Sequence, residues 1–462
     1  MKKFIDRYDE INFLNEEYNR KWSSFIVLYG RRRVGKTALC SFFTENKNAL
    51  YFLATEESES QNRNYFKNMV AEFCANKGLE NAKIDSWDVI FDVLLEKSKD
   101  EKLLLIIDEF QYLGKSNSAF PSIFQKIWDT KLKDQNIMVI LCGSLISMME
   151  AQTLNYSSPL YGRRTGQIKL KQIPFKYYNE FYENKSYKEL IEYFAVTGGV
   201  PKYVELFYDS KDIYSAINRN VLSKQSFLYD EPNFLLQKEV SEVGSYFSII
   251  RVIADGNQKL SKIAVVLEMK QTDILKYLKT LIDLDILERE VPITEENPEK
   301  SKNGLYKIKD NFILFWFRFI YPNLSFIESG HSDFVMKKIK NNFVDNHISY
   351  IYEDICIDKM WDLNLENKFN FIFDKVGRWW DSNTEIDIVA YDSKSDNIIF
   401  GECKYWENKV GINVLRELEN KAKNVKWKNG RRKEMFVLFS INGFTDELIK
   451  LSEDRKNLIL ES

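Results

Sequence analysis

Histidine is almost absent from these 462 residues: His331 and His347 are the only two, and neither stands at a metal-ligand or catalytic spacing from a partner. That argues against a histidine-based hydrolase and against a zinc enzyme. The five cysteines, Cys40, Cys74, Cys142, Cys356 and Cys403, are scattered without a C-x-x-C pair. Neither a disulfide framework nor a zinc site is expected, and a reducing cytoplasm suits them. An excess of one charge is lacking too, since 66 Lys and Arg face 68 Asp and Glu. No global basic field announces nucleic acid, so such a contact must come from a local patch. No run reaches the roughly 18 apolar residues of a membrane helix. The opening Met1-Lys2-Lys3-Phe4-Ile5-Asp6-Arg7 has no apolar signal core. The nearest apolar run, 312–320, is short, carries Arg318 and reads as a buried element, so no membrane partner is expected.

What is present is a folded protein's composition, 44% hydrophobic and 15% aromatic. At about 100 to 200 residues per domain, the length calls for roughly three domains. The informative stretch is Gly30-Arg31-Arg32-Arg33-Val34-Gly35-Lys36-Thr37, which follows the apolar run 25–29 and precedes a helical pattern. Strand, G-x-x-x-x-G-K-T and helix make a phosphate-binding loop. The two glycines let the backbone bend so that successive N–H groups and the helix start surround polyphosphate oxygens. Lys36 brings a cation to the β- and γ-phosphates of ATP, and the Thr37 hydroxyl is placed to ligate Mg²⁺. Arg31, Arg32 and Arg33 occupy the variable loop positions, either as solvated charges beside an anion or in direct contact with it.

Strand and helix patterns alternate from here, indicating a parallel sheet with crossovers. The run 103–107 is apolar throughout and ends in Asp108-Glu109, as a Walker B strand requires. Asp108 is expected to hold Mg²⁺ through its water shell, and Glu109 to polarise the water that attacks the γ-phosphate. A fourth buried strand, 137–143, ends at Ser144, a candidate γ-phosphate sensor or a helix N-cap. Arg163 and Arg164 are candidates for a finger acting on the γ-phosphate in the same or a neighbouring subunit.

The segments Tyr29 to Thr37, Ile107-Asp108-Glu109-Phe110-Gln111, Cys142-Gly143-Ser144, Tyr161-Gly162-Arg163-Arg164 and Thr197-Gly198-Gly199-Val200-Pro201 together resemble the archaeal-type ATPase family, which is AAA-like and STAND-related. The resemblance implies a RecA/ASCE core over 1–170 and a helical lid over 171–234, broken at 198–201. The span 235–325 reads as three helices and a β-hairpin, a winged-helix pattern. Lys276 and Lys279 on its third helix are opposed by Asp273, Asp283 and Asp285, which favours an interaction module over a DNA reader. Residues 306–319 are similar to the segment that, in many of these ATPases, leads into a C-terminal restriction-endonuclease-like domain, here 326–462.

That last domain is expected to carry a helix over 344–361 with Glu353, then strands over 368–375, 384–391 and 397–404. Glu402 and Lys404, two apart on a strand, share a face, and Asp387 lies on the neighbouring strand. An acid facing an acid-x-lysine is the PD-(D/E)xK nuclease constellation. Asp387 and Glu402, with Glu353 as an additional acid, are the expected Mg²⁺ ligands, and Lys404 would position the attacking water. Lys421, Lys423, Lys426, Lys428, Arg431, Arg432 and Lys433 form a local basic patch. The expected architecture is thus α/β and multidomain, and the expected function is an ATPase coupled to a nuclease-like domain acting on nucleic acid, DNA before RNA. The alternative is a STAND-like switch whose C-terminal domain binds nucleic acid or protein without cleavage. A protein partner or a homo-oligomer is compatible with either.

Overall fold

A computed structural model describes residues 4–99 and 101–462. The chain forms two compact units, one of Met1–Glu180, Gly199–Glu205 and Asn233–Ser241, the other of Phe181–Gly198, Leu206–Pro232 and Glu242–Ser462. Residues of the span 171–234 therefore fall in both units. All five cysteines carry free thiols, and no helix among the described residues is long and apolar enough to cross a membrane.

In the first unit the apolar runs become β1 (Ser24–Tyr29), β2 (Ala49–Leu53), β3 (Leu103–Asp108), β4 (Ile137–Gly143) and β5 (Gly166–Lys169). They pair in the order β2-β3-β4-β1-β5, and every neighbouring pair is parallel. Strands β1, β3 and β4 are buried at every position, because crossover helices cover both faces. The placement of β4 between β1 and β3 has a functional consequence. It sets Ser144 between the loop after β1 and the carboxylates after β3, in the crevice beyond the carboxyl ends of the strands.

The register of β5 bears on the same-subunit form of the finger expectation and leaves the neighbouring-subunit form untouched. Ile26 faces Gly166, and the Thr165 N–H donates to the Phe25 carbonyl at 2.7 Å. Arg163 and Arg164 thus lie at the amino end of the sheet, about 20 Å from the phosphate loop at a strand rise of about 3.3 Å per residue. Neither can reach a phosphate held by Lys36 of its own chain. Arg163 is in any case forked onto Asp129, with Nε and Nη2 donating at 2.8 to 3.0 Å, while the Arg164 guanidinium lies 5.9 Å from the Tyr161 ring centroid.

In the second unit, helices Val243–Ala254, Leu260–Leu267 and Gln271–Asp283 precede the antiparallel hairpin of β6 (Leu287–Glu290) and β7 (Leu305–Ile308), the order expected of a winged helix. The loop after β6 is anchored on protein. The Ile293 N–H donates to the Arg378 carbonyl at 2.9 Å, and Tyr391 Oη donates to the Ile293 carbonyl at 3.2 Å.

The last sheet consists of β8 (Lys375–Trp380), β9 (Glu385–Tyr391), β10 (Asn397–Lys404), β11 (Lys433–Ser440) and β12 (Leu458–Glu461), in the order β12-β11-β10-β9-β8. β8, β9 and β10 form an antiparallel meander, and helix Ile412–Ala422 crosses over to the parallel β11. The first of these strands starts at Lys375, not over 368–375 as expected. Asn364 explains the difference: its side chain brackets Phe373, donating to the carbonyl at 3.0 Å and accepting from the N–H at 3.1 Å. These bonds take the place of a strand partner. Trp379 is buried in the core of this sheet.

Candidate functional site

Gly30 and Gly35 have left-handed backbone angles, φ 152° and 100°. A Cβ on Gly30 would stand 2.3 Å from the Leu170 carbonyl oxygen, so no larger residue fits there. Lys36, the first residue of helix Lys36–Thr44, is buried and donates from Nζ to the carbonyls of Gly30 and Arg31, at 2.7 Å each. Burial pushes its pKa down, against the nearby Cys142, Glu109 and Asp108. The loop is braced from outside by Arg7, which sequence reasoning missed. Its buried guanidinium donates to the Val34 carbonyl at 3.0 Å and to the Lys171 carbonyl at 2.5 Å. Of the loop arginines, Arg31 is buried. Arg33 takes a left-handed φ of 71°. Arg32 donates from Nη2 to the Tyr112 hydroxyl at 3.1 Å and keeps a buried Nε without a hydrogen-bond partner.

Asp108 is 3% exposed, and both its oxygens are engaged. Oδ1 accepts the Glu109 N–H at 2.8 Å; Oδ2 accepts the Tyr51 hydroxyl, and the Thr37 hydroxyl at 3.4 Å. Thr37 and Asp108 therefore come together as predicted, two hard oxygen donors of the kind Mg²⁺ prefers. Glu109 follows with φ 54°, an uncommon angle for a glutamate, which costs about 1 kcal/mol or more. Its carboxylate accepts the Ser144 hydroxyl at 2.8 and 2.9 Å, and also the Gln111 side-chain amide. Ser144 makes no cap for the following helix; its hydroxyl holds Glu109. Further along, Glu239 of helix Glu231–Glu239 accepts from the Ile146 N–H at 3.3 Å and from Ser147 Oγ at 3.0 Å. Burial raises its pKa.

The second charged centre is the C-terminal meander. Ile388 opposite Gly401 sets Asp387 across from Glu402. Asp387 Oδ2 accepts the Cys403 N–H at 2.8 Å, and Lys404 Nζ donates to Glu402 Oε1 at 2.7 Å. The predicted acid, acid and lysine do meet. A second lysine was not foreseen at this point: Lys421 Nζ lies 2.9 and 3.1 Å from the two oxygens of Glu402. Burial, and then Glu402, push the Asp387 carboxyl up to about 6. Burial, and then Asp387, push Glu353 up to about 8.

The predicted third metal ligand is engaged elsewhere. Glu353 Oε2 accepts from Arg378 Nε at 3.1 Å, and Arg378 also bridges Glu290 at 3.0 Å and Asp354 at 2.7 Å. Among the described residues no group of three or more His, Cys, Asp and Glu side chains is disposed to hold a metal ion. The set Glu353, Asp387 and Glu402 is thus not assembled as a cage, because Arg378, Lys404 and Lys421 already compensate two of the three carboxylates. The basic patch is partly neutralised in the same way: Lys428 and Arg431 pair with Asp396 and Arg432 with Glu434, while Lys423, Lys426, Arg431 and Lys433 are its exposed members.

Residues 4–207 match the family described as an ATPase domain predominantly from Archaea. Residues 316–425 match one described as archaeal and bacterial proteins of unknown function. An uncharacterized protein of Methanocaldococcus jannaschii is 38% identical over 424 residues, 91% of this chain and 92% of that one. The solved Walker-type ATPase of Pyrococcus abyssi shares the fold, with a TM-score of 0.52 at 19% identity over 68% of this chain and 96% of that chain. Similarity that runs through nine-tenths of both chains places the protein: it belongs to the family of the Methanocaldococcus jannaschii protein, and carries an archaeal-type P-loop ATPase domain at its amino end.

Proposed function

We propose that the first unit binds ATP with Mg²⁺ and hydrolyses it. The observation that carries this reading is the single crevice at the carboxyl ends of β1, β4 and β3, where Lys36, Ser144, Asp108 and Glu109 converge. A further relative in Methanocaldococcus jannaschii, 50% identical over 44 residues (10% of this chain, 75% of that one), is described as an ATP-binding protein. The amides of the loop and Lys36 grip the β- and γ-phosphates, with Lys36 exchanging its carbonyl partners for phosphate oxygens. Thr37 and Asp108 are the residues that hold Mg²⁺, which when bound supplies positive charge against those oxygens. Glu109, aimed by Ser144 and Gln111, accepts the proton of the attacking water. Phosphate release should be lost in Lys36→Ala and fall at least about 100-fold in Glu109→Gln, the scale of removing a general base. The latter variant should still bind a fluorescent ATP analogue. Absence of nucleotide binding by the unaltered protein overturns the reading.

For the C-terminal domain we infer binding of nucleic-acid phosphate, with Lys404 and Lys421 as the contacting cations. The support is the convergence of two lysines on buried Glu402, cations that a phosphodiester can share. A second reading, cleavage, is favoured by the raised Asp387 beside Glu402, a carboxylate pair that a divalent cation would relieve. One assay separates the two. Incubation with DNA and RNA, Mg²⁺ or Mn²⁺ and ATP should give retention without cutting, weakened in Lys404→Ala; metal-dependent cutting abolished in that variant selects the second.

A further inference from the structure

Strand β2 contributes a group that no motif announces. It pairs with β3 in parallel, and Tyr51 faces Ile106. Residues in register project from the same face, as do residues two apart on one strand, so Tyr51, Ile106 and Asp108 all project to one side. A two-residue step is about 6.6 Å, close to the reach of a tyrosine side chain from its Cα. The phenol therefore ends at the Asp108 carboxylate and donates to Oδ2, the oxygen that also receives Thr37. The ring itself packs against the core that includes Val34, Cys40 and Cys142, behind the phosphate loop.

Without this donor, Oδ2 would keep only the Thr37 hydroxyl at 3.4 Å, a long bond, and the carboxylate plane would be set mainly by the Glu109 amide on Oδ1. We propose that Tyr51 is a positioning residue for the metal-nucleotide complex: it fixes the rotation of the Asp108 carboxylate so that one oxygen stays turned toward Thr37. The proposal rests on the ATP-Mg²⁺ reading of the same crevice. It differs from that reading in what fails: loss of Tyr51 weakens the response to metal while the phosphate grip of the loop stays intact.

The test is a titration of N-methylanthraniloyl-ATP into the unaltered protein and Tyr51→Phe, first in EDTA and then across a Mg²⁺ series. Phenylalanine keeps the ring and its packing and removes only the hydroxyl. Affinity in EDTA should match within about twofold, which also certifies that the pocket is folded. The Mg²⁺ concentration giving half of the metal-dependent change should rise roughly tenfold, as expected for one hydrogen bond to a charged group. An unchanged or lower Mg²⁺ midpoint in Tyr51→Phe, with the unaltered protein binding normally, overturns the role of Tyr51 and leaves the ATPase reading standing. Failure of the unaltered protein to bind in either buffer removes both.

Discussion

Replacing Ser144 by alanine separates two roles for that residue. Its hydroxyl has one proton and lies 2.9 and 2.8 Å from the two oxygens of Glu109, so it makes one charge-assisted bond at a time. Such a bond contributes about 1.5 to 3 kcal/mol. If all of it orients the base in the transition state, turnover falls about 10- to 150-fold, at about 1.36 kcal/mol per decade. The Gln111 amide still donates to the same carboxylate, so the expected loss is the lower part of that range, about 10- to 30-fold. Affinity for ATP should move less than about threefold, because the hydroxyl faces Glu109 and does not take part in the Lys36 loop contacts. Phosphate release under saturating ATP measures the first quantity, and competition between ATP and ADP for the fluorescent analogue measures the second. A sensor that touched the γ-phosphate directly would instead lose its preference for ATP over ADP. Turnover equal to that of the unaltered protein, or a defect confined to ATP affinity, refutes the Glu109 role.

Two further outcomes follow from the geometry. In Gly30→Ala the added methyl meets the Leu170 carbonyl at 2.3 Å, so the loop must shift; nucleotide affinity should drop at least about 100-fold and stability by about 1 to 3 kcal/mol, read by analogue titration and urea melts. The pH dependence of the second unit is set by carboxyls whose folded values are raised: Asp387 to about 6, Glu288 to about 7 and Glu353 to about 8. Between its ordinary unfolded value and its folded one, each group binds more protons folded than unfolded, so stability is greatest at low pH in that window and falls as pH rises. From pH 6 to 8 the fall should be on the order of 1 kcal/mol per unit, and Glu353→Gln should flatten its upper part. Denaturant midpoints for the transition of the second unit that rise with pH, or a slope unchanged in Glu353→Gln, contradict this assignment.

Much of the first unit was legible because its signals are local. An apolar run buried on both faces reads as a parallel strand wherever it falls, and the loop motif fixes its own neighbours, so β1, β3, β4, Lys36, Thr37, Asp108 and Glu109 all occupy the expected positions. What stayed hidden depends on strand order and register. Tyr51 meets Asp108 only because β2 pairs with β3, and Arg163 is removed from the phosphates only because β5 runs parallel to β1 from Gly166. Arg7 carries no pattern at all before α-helix Tyr8–Tyr18. In the second unit, the facing of Asp387 and Glu402 was readable from alternation and a short turn. Lys421 was readable only as a member of a charged helix, since its choice of Glu402 is made by the crossover of Ile412–Ala422. Helix Glu59–Phe73 starts where Ser58 caps it by accepting the Gln61 N–H, a polar signal ahead of the first apolar position.

The loop that follows β6 and rests on β8 has one more effect. β8 is the outermost strand on its side of the C-terminal sheet, and an outermost strand offers unpaired amides and carbonyls to any extended chain that drifts past. Here the Arg378 carbonyl is already taken by Ile293, and the guanidinium of the same residue is locked among Glu290, Glu353 and Asp354. At Arg378 the rim is thereby occupied from within the chain, which takes one carbonyl of that edge away from an incoming strand.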